Sequence, residues 1–294
     1  MKKLFLFLAV VALLSGCDHN DEQTLTVGTR RIDLRPGIEA LTRNPHLEAD
    51  GSGTFTDGDV FLLAVSVSGT YTEMKDYMMP STILNWEDLK LPDGTKEVCF
   101  AGCYPKYDEE MENNTFVFNV NHAEGEEKDL LLAPAVRVEA GSTSPISLPF
   151  YHAMHNLVIK YKSTDYTDEE LKSIQTTLNG IAECKINLVT GEVIDIDLLP
   201  ESYIPQIGKE ISTLVVPQAK SSVSLQVCIG GKTHIYELAD LPETTDKGQR
   251  IIRLDGGKQL EVVLAVNKSG ITLSGITIQG WETQGSVSDD ITIE

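Results

Sequence analysis

Apolar residues in this chain come in runs of strand length, and turn-forming residues close each run. Val223-Ser224-Leu225-Gln226-Val227-Cys228-Ile229 alternates apolar and polar side chains, Gly230-Gly231 supplies a positive-φ turn, and His234-Ile235-Tyr236-Glu237-Leu238 returns. A turn at Asp57-Gly58-Asp59 feeds a strand over 60–67, with Phe61, Leu62, Leu63, Val65 and Val67. Further strands are expected at 97–103, 114–120, 128–133, 144–148, 157–162, 186–189, 193–196, 214–218, 260–266 and 271–278, each bounded by Gly, Pro, Asn or Asp. Helix is signalled once, where Thr167 stands three residues before Glu170 as a capping box and Ile174 and Leu178 follow. The fold class this predicts is all-β, built of sandwiches.

The first residues restrict where such a body works. Met1-Lys2-Lys3 precedes an unbroken apolar run of eleven residues from Leu4 to Leu14, then Ser15-Gly16-Cys17. A membrane-spanning helix needs about 20 apolar residues, so the run reads as a cleaved secretory signal over 1–16. Leu14-Ser15-Gly16-Cys17 resembles the lipobox of bacterial lipoproteins, which implies lipidation of Cys17. Several acyl chains on one residue, at about 0.8 kcal/mol per buried methylene, hold a protein firmly at a membrane. Loss of Lys2 and Lys3 with the signal moves the formal charge from −20 to −22. So acidic a surface repels phosphate backbones, and nucleic acid is excluded as a partner.

Residues 18–52 are polar and interrupted by Arg30-Arg31, Arg35-Pro36-Gly37 and Thr42-Arg43-Asn44-Pro45, the composition of a tether or a loosely held leading strand without a core. The remaining length suits one large domain or two of ordinary size. Beyond Cys17 stand Cys99, Cys103, Cys184 and Cys228. Four residues of extended strand span about 13 Å, beyond the reach of a disulfide. A Cys99–Cys103 bridge therefore needs a turn at Gly102, and the other reading is free, buried thiols.

Residues that tempt a catalytic or metal reading have plainer ones. His152 and His155 are three apart, which on a strand turns their rings to opposite faces. Asp57 and Asp59 lack the further ligands of a calcium loop. The acidic runs at 108–112 and 124–127 read as solvated loops. No nucleophile elbow, phosphate loop, zinc-helix motif or dinucleotide fingerprint is present in the sequence. No enzyme and no cofactor are expected.

Ordered pieces along the chain resemble the fimbrillin family of Bacteroidales lipoproteins, the subunits and anchors of the type V pilus. They are Cys17 in its lipobox, Leu41-Thr42-Arg43, Phe55-Thr56-Asp57-Gly58-Asp59-Val60, Phe100 through Cys103-Tyr104-Pro105, and Asp129-Leu130-Leu131-Leu132-Ala133. Leu148-Pro149-Phe150-Tyr151-His152-Ala153-Met154-His155-Asn156-Leu157, Asn187-Leu188-Val189-Thr190-Gly191, Val215-Val216-Pro217-Gln218 and Gly275-Ile276-Thr277-Ile278-Gln279-Gly280-Trp281 continue the series. The resemblance implies two tandem transthyretin-like (Greek-key) β-sandwiches, at 53–149 and 150–294, and lipid attachment to the outer membrane at the cell surface. It also implies assembly with like subunits by strand exchange after a cut at Arg43, with Arg30, Arg31 and Arg35 as alternative positions. The tail from Glu282 to Glu294 is shorter than the donor segment of polymerising members, which implies an anchor or tip position beside a stalk one. A second reading is a glycan-binding surface lipoprotein that stacks sugars on exposed Trp86, Tyr104 and Tyr107.

Overall fold

The computed structural model describes residues 30–38, 55–68, 70–107, 111–122, 129–194 and 198–280. The alternating hairpin forms as its pattern demands. Ser224–Ile229 pairs antiparallel with Lys232–Glu237, Leu225 opposite Tyr236, around Gly230 and Gly231 at φ 55° and 73°. Leu225, Val227 and Ile229 are buried while Gln226 between them is exposed. This hairpin belongs to a five-stranded sheet with Gln175–Gly180 and two short edge pieces, Glu201–Ser202 and Gln206–Ile207. A four-stranded sheet runs Glu210–Val215, His155–Lys162, Lys258–Asn267, Gly270–Gly280. Leu157, Ile159, Leu260, Val262 and Leu264 from the second sheet and Leu178, Leu225 and Val227 from the first join one buried cluster, the filling of a β-sandwich.

The other large sheet has six strands, in the order Leu34–Ile38, Ile146–His152, Leu131–Glu139, Glu97–Tyr104, Val60–Val67, Thr70–Met78. Both of its faces are covered, which explains why Phe61 to Val65 is apolar without alternation. Leu62, Ala64, Ala101, Cys103 and Leu132 meet Phe116, Phe118, Cys184 and Ile186 of a three-stranded sheet. On the opposite face Phe61, Leu63, Phe100, Leu148 and Phe150 lie under Leu84, Trp86 and Leu89.

Gly102 sits where this second core is tightest. A Cβ built there would stand 2.5 Å from Cζ of Phe150. Gly102→Ala is expected to cost about 1–3 kcal/mol by overpacking, and Phe150→Leu in the same chain should recover part of that loss. Urea unfolding of the single and double variants checks it, and a neutral Gly102→Ala would show that the ring yields freely.

Several expectations are corrected by pairing over long sequence distances. The division after residue 149 is crossed, because Glu183–Asn187 pairs antiparallel with Thr115–Asn119, Cys184 opposite Phe118 and Ile186 opposite Phe116. Glu192–Ile194 completes that three-stranded sheet. The capping box is present at the helix Asp168–Lys172, with Thr167 and Glu170 exchanging hydrogen bonds. Ile174 and Leu178 are not on that helix: Ile174 follows its end, and Leu178 lies within the strand Gln175–Gly180. Thr70–Met78 is a strand that alternation of apolar residues did not reveal. Residues 30–38 do contribute to a core, as described next.

Candidate functional site

The leading segment starts on a short alternating pattern. Ile32, Leu34 and Ile38 are 3%, 7% and 6% exposed, whereas Arg31, Asp33 and Arg35 face solvent. Leu34–Ile38 runs parallel to Ile146–His152, with Leu34 opposite Ile146 and Ile38 opposite Phe150. It is the terminal strand of the six-stranded sheet, a position that tolerates Pro36. Burying each of the three aliphatic side chains contributes about 1.5–3 kcal/mol before ordering costs.

Backbone bonds hold the segment from two sides. Ile146 N–H donates to the Asp33 carbonyl at 2.8 Å. On the other side Ile32 N–H donates to the Leu84 carbonyl at 2.8 Å, and Trp86 N–H donates to the Arg30 carbonyl at 3.0 Å. The segment therefore lies in a groove between the 84–87 stretch and Ile146–His152. Taking it away would bare the edge of Ile146–His152 and the apolar floor at Leu148 and Phe150.

At the start of the groove Arg30 is held by one carboxylate twice. Its backbone N–H donates to Oε2 of Glu87 at 2.9 Å and its Nε to Oε1 at 3.2 Å. Glu87 is held below the usual carboxylate range by its own backbone N–H first and by Arg30 as well. The arginine head lies over Gly141, whose φ is +80° and where a Cβ would stand 2.7 Å from Nη1. Trp86 fixes the opposite wall, its indole N–H donating to the Ser142 carbonyl at 2.8 Å.

The residues singled out from the sequence distribute as follows. Cys17 and Arg43 lie outside the described residues. Arg30, Arg31 and Arg35 lie in the leading segment itself, Arg35 paired with Asp33 at 2.8 Å. Cys99 and Cys103 are free and share the uninterrupted strand Glu97–Tyr104, so the candidate bridge between them is absent: no turn forms at Gly102. His152 Nδ1 meets Oδ1 of buried Asp129 at 2.6 Å, while His155 Nδ1 meets the Asp255 carbonyl at 2.8 Å, so the two rings serve separate contacts. Asp59 closes its turn by accepting from Thr56 N–H at 2.7 Å. Among the described residues no group of three or more His, Cys, Asp or Glu is arranged to hold a metal.

Of the aromatic residues offered for sugar stacking, Trp86 is buried and Tyr104 and Tyr107 are half-buried against other rings. Trp86 is 5% exposed and packs edge-on against Phe100 at 5.9 Å. Tyr104 packs against Phe55 at 5.5 Å, and Tyr107 stacks on Phe116 at 4.2 Å. Sequence reasoning missed Glu87 and Gly141, which gain meaning only beside Arg30. The alternation of Ile32 and Leu34 was the available signal for the strand.

A sandwich of mostly antiparallel sheets, one of them finished by a parallel edge strand from the start of the chain, defines the class: an all-β protein with an edge strand joined to its sheet by pairing. The chain belongs to the fimbrillin-like family, whose model matches residues 49–281, a span that begins after the leading strand. Its fold is similar to that of a candidate cell adhesion protein from Bacteroides uniformis, with TM-score 0.64 and 14% identity over 85% of this chain and 99% of that one. A candidate cell adhesion protein from Bacteroides ovatus gives TM-score 0.58 and 14% identity over 86% and 98%. One from Bacteroides thetaiotaomicron gives 0.50 and 16% over 82% and 96%. None of the curated proteins compared with the chain matches it.

Proposed function

We propose that this protein is a structural subunit, anchor or tip of a fimbrium, held at the outer membrane through lipidated Cys17 and joined to like subunits by β-strand addition in cell adhesion. The observation that carries the reading is the leading strand Leu34–Ile38. It is the terminal strand of its sheet, buries Leu34 and Ile38, with Ile32 just ahead of it, in a groove, and is separated from the strand Val60–Val67 by the segment bearing Arg43. A cut after Arg43 would sever the leading strand from the body while leaving Val60–Val67 in place. A strand from a neighbouring subunit then satisfies the bared backbone and fills the same positions. Membership of the fimbrillin-like family and the cell adhesion description of similar folds support this reading.

The test is the N-terminal residue and polymer state of the protein recovered from the surface of its own cells. A new terminus just after an arginine, with a ladder of bands that collapses on boiling, is the expected result for a polymerising subunit. Acylated Cys17 at the terminus of a protein found at the fibre base is the expected result for an anchor. Acylated Cys17 on protein that never co-purifies with a fibre would overturn the proposal. The glycan reading has no matching observation, since Trp86, Tyr104 and Tyr107 are all engaged in packing.

A further inference from the structure

The groove does more than accept any extended apolar strand. We infer that the collar formed by Glu87, Trp86 and Gly141 reads a basic residue, and that a strand entering this groove binds more tightly when it carries one two positions ahead of its first buried aliphatic side chain. The inference rests on the strand-addition reading above and deepens it by naming the chemistry of the incoming partner.

The occupant now in the groove defines the required spacing. Arg30 lies in the collar, Ile32 and Leu34 point into the core, and Ile38 closes the series opposite Phe150. The pattern is basic, any, apolar, any, apolar, three of any kind, apolar. A slip of two keeps each side chain on its own face of the strand, so among the apolar positions only the uneven spacing of Ile32, Leu34 and Ile38 opposes it. A single charged contact at one end adds to that opposition, because a slip of two moves the guanidinium by about 7 Å, well beyond hydrogen-bond reach.

Three features make the collar selective for arginine in particular. Glu87 offers both carboxylate oxygens in one direction, one to the backbone N–H and one to Nε of the same residue. Gly141 leaves room for a flat head; a Cβ there would stand 2.7 Å from Nη1 and push it aside. Trp86 is tied to the Ser142 carbonyl by a bond that does not involve the leading segment, which steadies the wall bearing Glu87. None of these groups belongs to the leading strand, so all three remain when it leaves.

The test uses the full chain cut once at a protease recognition sequence placed between residues 44 and 50, with the severed leading segment competed away. Binding of a fluorescein-labelled peptide of residues 28–40 is followed by anisotropy. Three variant peptides accompany it: Arg30→Gln, Arg30→Gln with Thr29→Arg so that charge is kept but shifted by one, and Leu34→Asp. The native peptide should bind best, and both peptides lacking Arg30 should be weaker by roughly three- to fivefold, the range of an exposed ion pair. On the Glu87→Gln protein the native peptide should fall to the affinity of the Arg30→Gln peptide.

Equal affinity of native and Arg30→Gln peptides, with Leu34→Asp failing to bind, would overturn the collar while leaving strand addition intact. Equal affinity of the native and charge-shifted peptides, both above Arg30→Gln, would reduce the effect to general attraction toward an acidic protein and also overturn it. Failure of the native peptide to bind the emptied groove would overturn strand addition and the collar together.

Discussion

Replacing Phe150 with Ala is expected to lower the free energy of unfolding by about 3–5 kcal/mol, the range for removing a fully buried aromatic ring. Phe150 is 0% exposed and lies at the meeting point of the second core. Phe55 meets it edge-on at 4.9 Å and Phe61 at 5.1 Å, and the ring fills the space that Gly102 leaves open. Its backbone stands opposite Ile38 in the parallel pair, so the loss would also loosen the seat of the leading strand. Urea unfolding followed through the fluorescence of buried Trp86 measures the effect. A loss below about 1 kcal/mol would mean that the surrounding aromatics collapse into the cavity, and would remove Phe150 as the floor of the groove.

Acidification is expected to weaken the fold through His155. This ring is fully buried, with Nδ1 against the Asp255 carbonyl at 2.8 Å, and burial pushes its pKa down from 6.5 to about 4. Between those two values the unfolded chain binds a proton that the folded chain does not. Stability therefore rises with pH across that window and is lost as pH falls from 6.5 toward 4. A depression of this size corresponds to about 3 kcal/mol. Asp129 acts with the opposite sign: burial raises its pKa, with His152 opposing, so the folded state holds that proton more tightly and loses stability as pH rises through the shifted range. His155→Gln isolates the histidine. The wild type should lose about 3 kcal/mol more than the variant between about pH 7 and pH 4, read from urea midpoints. Parallel losses in the two proteins would mean that His155 titrates normally.

What was legible in the sequence is what short-range chemistry controls. Gly230-Gly231 between two alternating runs specified its hairpin, and Asp57-Gly58-Asp59 specified a turn that Asp59 closes through Thr56. Thr167 and Glu170 specified the cap of a short helix, but the apolar spacing of Ile174 and Leu178 after it was a poor guide. Those two residues are buried by strand packing and not by a helix face. Thr70–Met78 escaped notice because an edge strand with an exposed side carries too few apolar residues to advertise itself. Trp86, in a polar stretch, read as an exposed platform, and only its bond to Ser142 and the ring of Phe100 reveal it as a wall of the core.

The amino-acid sequence by itself determined an acidic, all-β chain, the positions of most strands, and the ordered pieces that place it in the fimbrillin-like family. Only the tertiary structure decided that Leu34–Ile38 closes a sheet against Ile146–His152, that Glu183–Asn187 returns to Thr115–Asn119, and that Arg30 rests between Glu87 and Gly141. The reason is physical. Turns, caps and alternation are set by residues within a few positions of one another, whereas the partner of an edge strand is chosen by which distant backbone edge and which apolar pockets remain unfilled once the rest of the chain has packed.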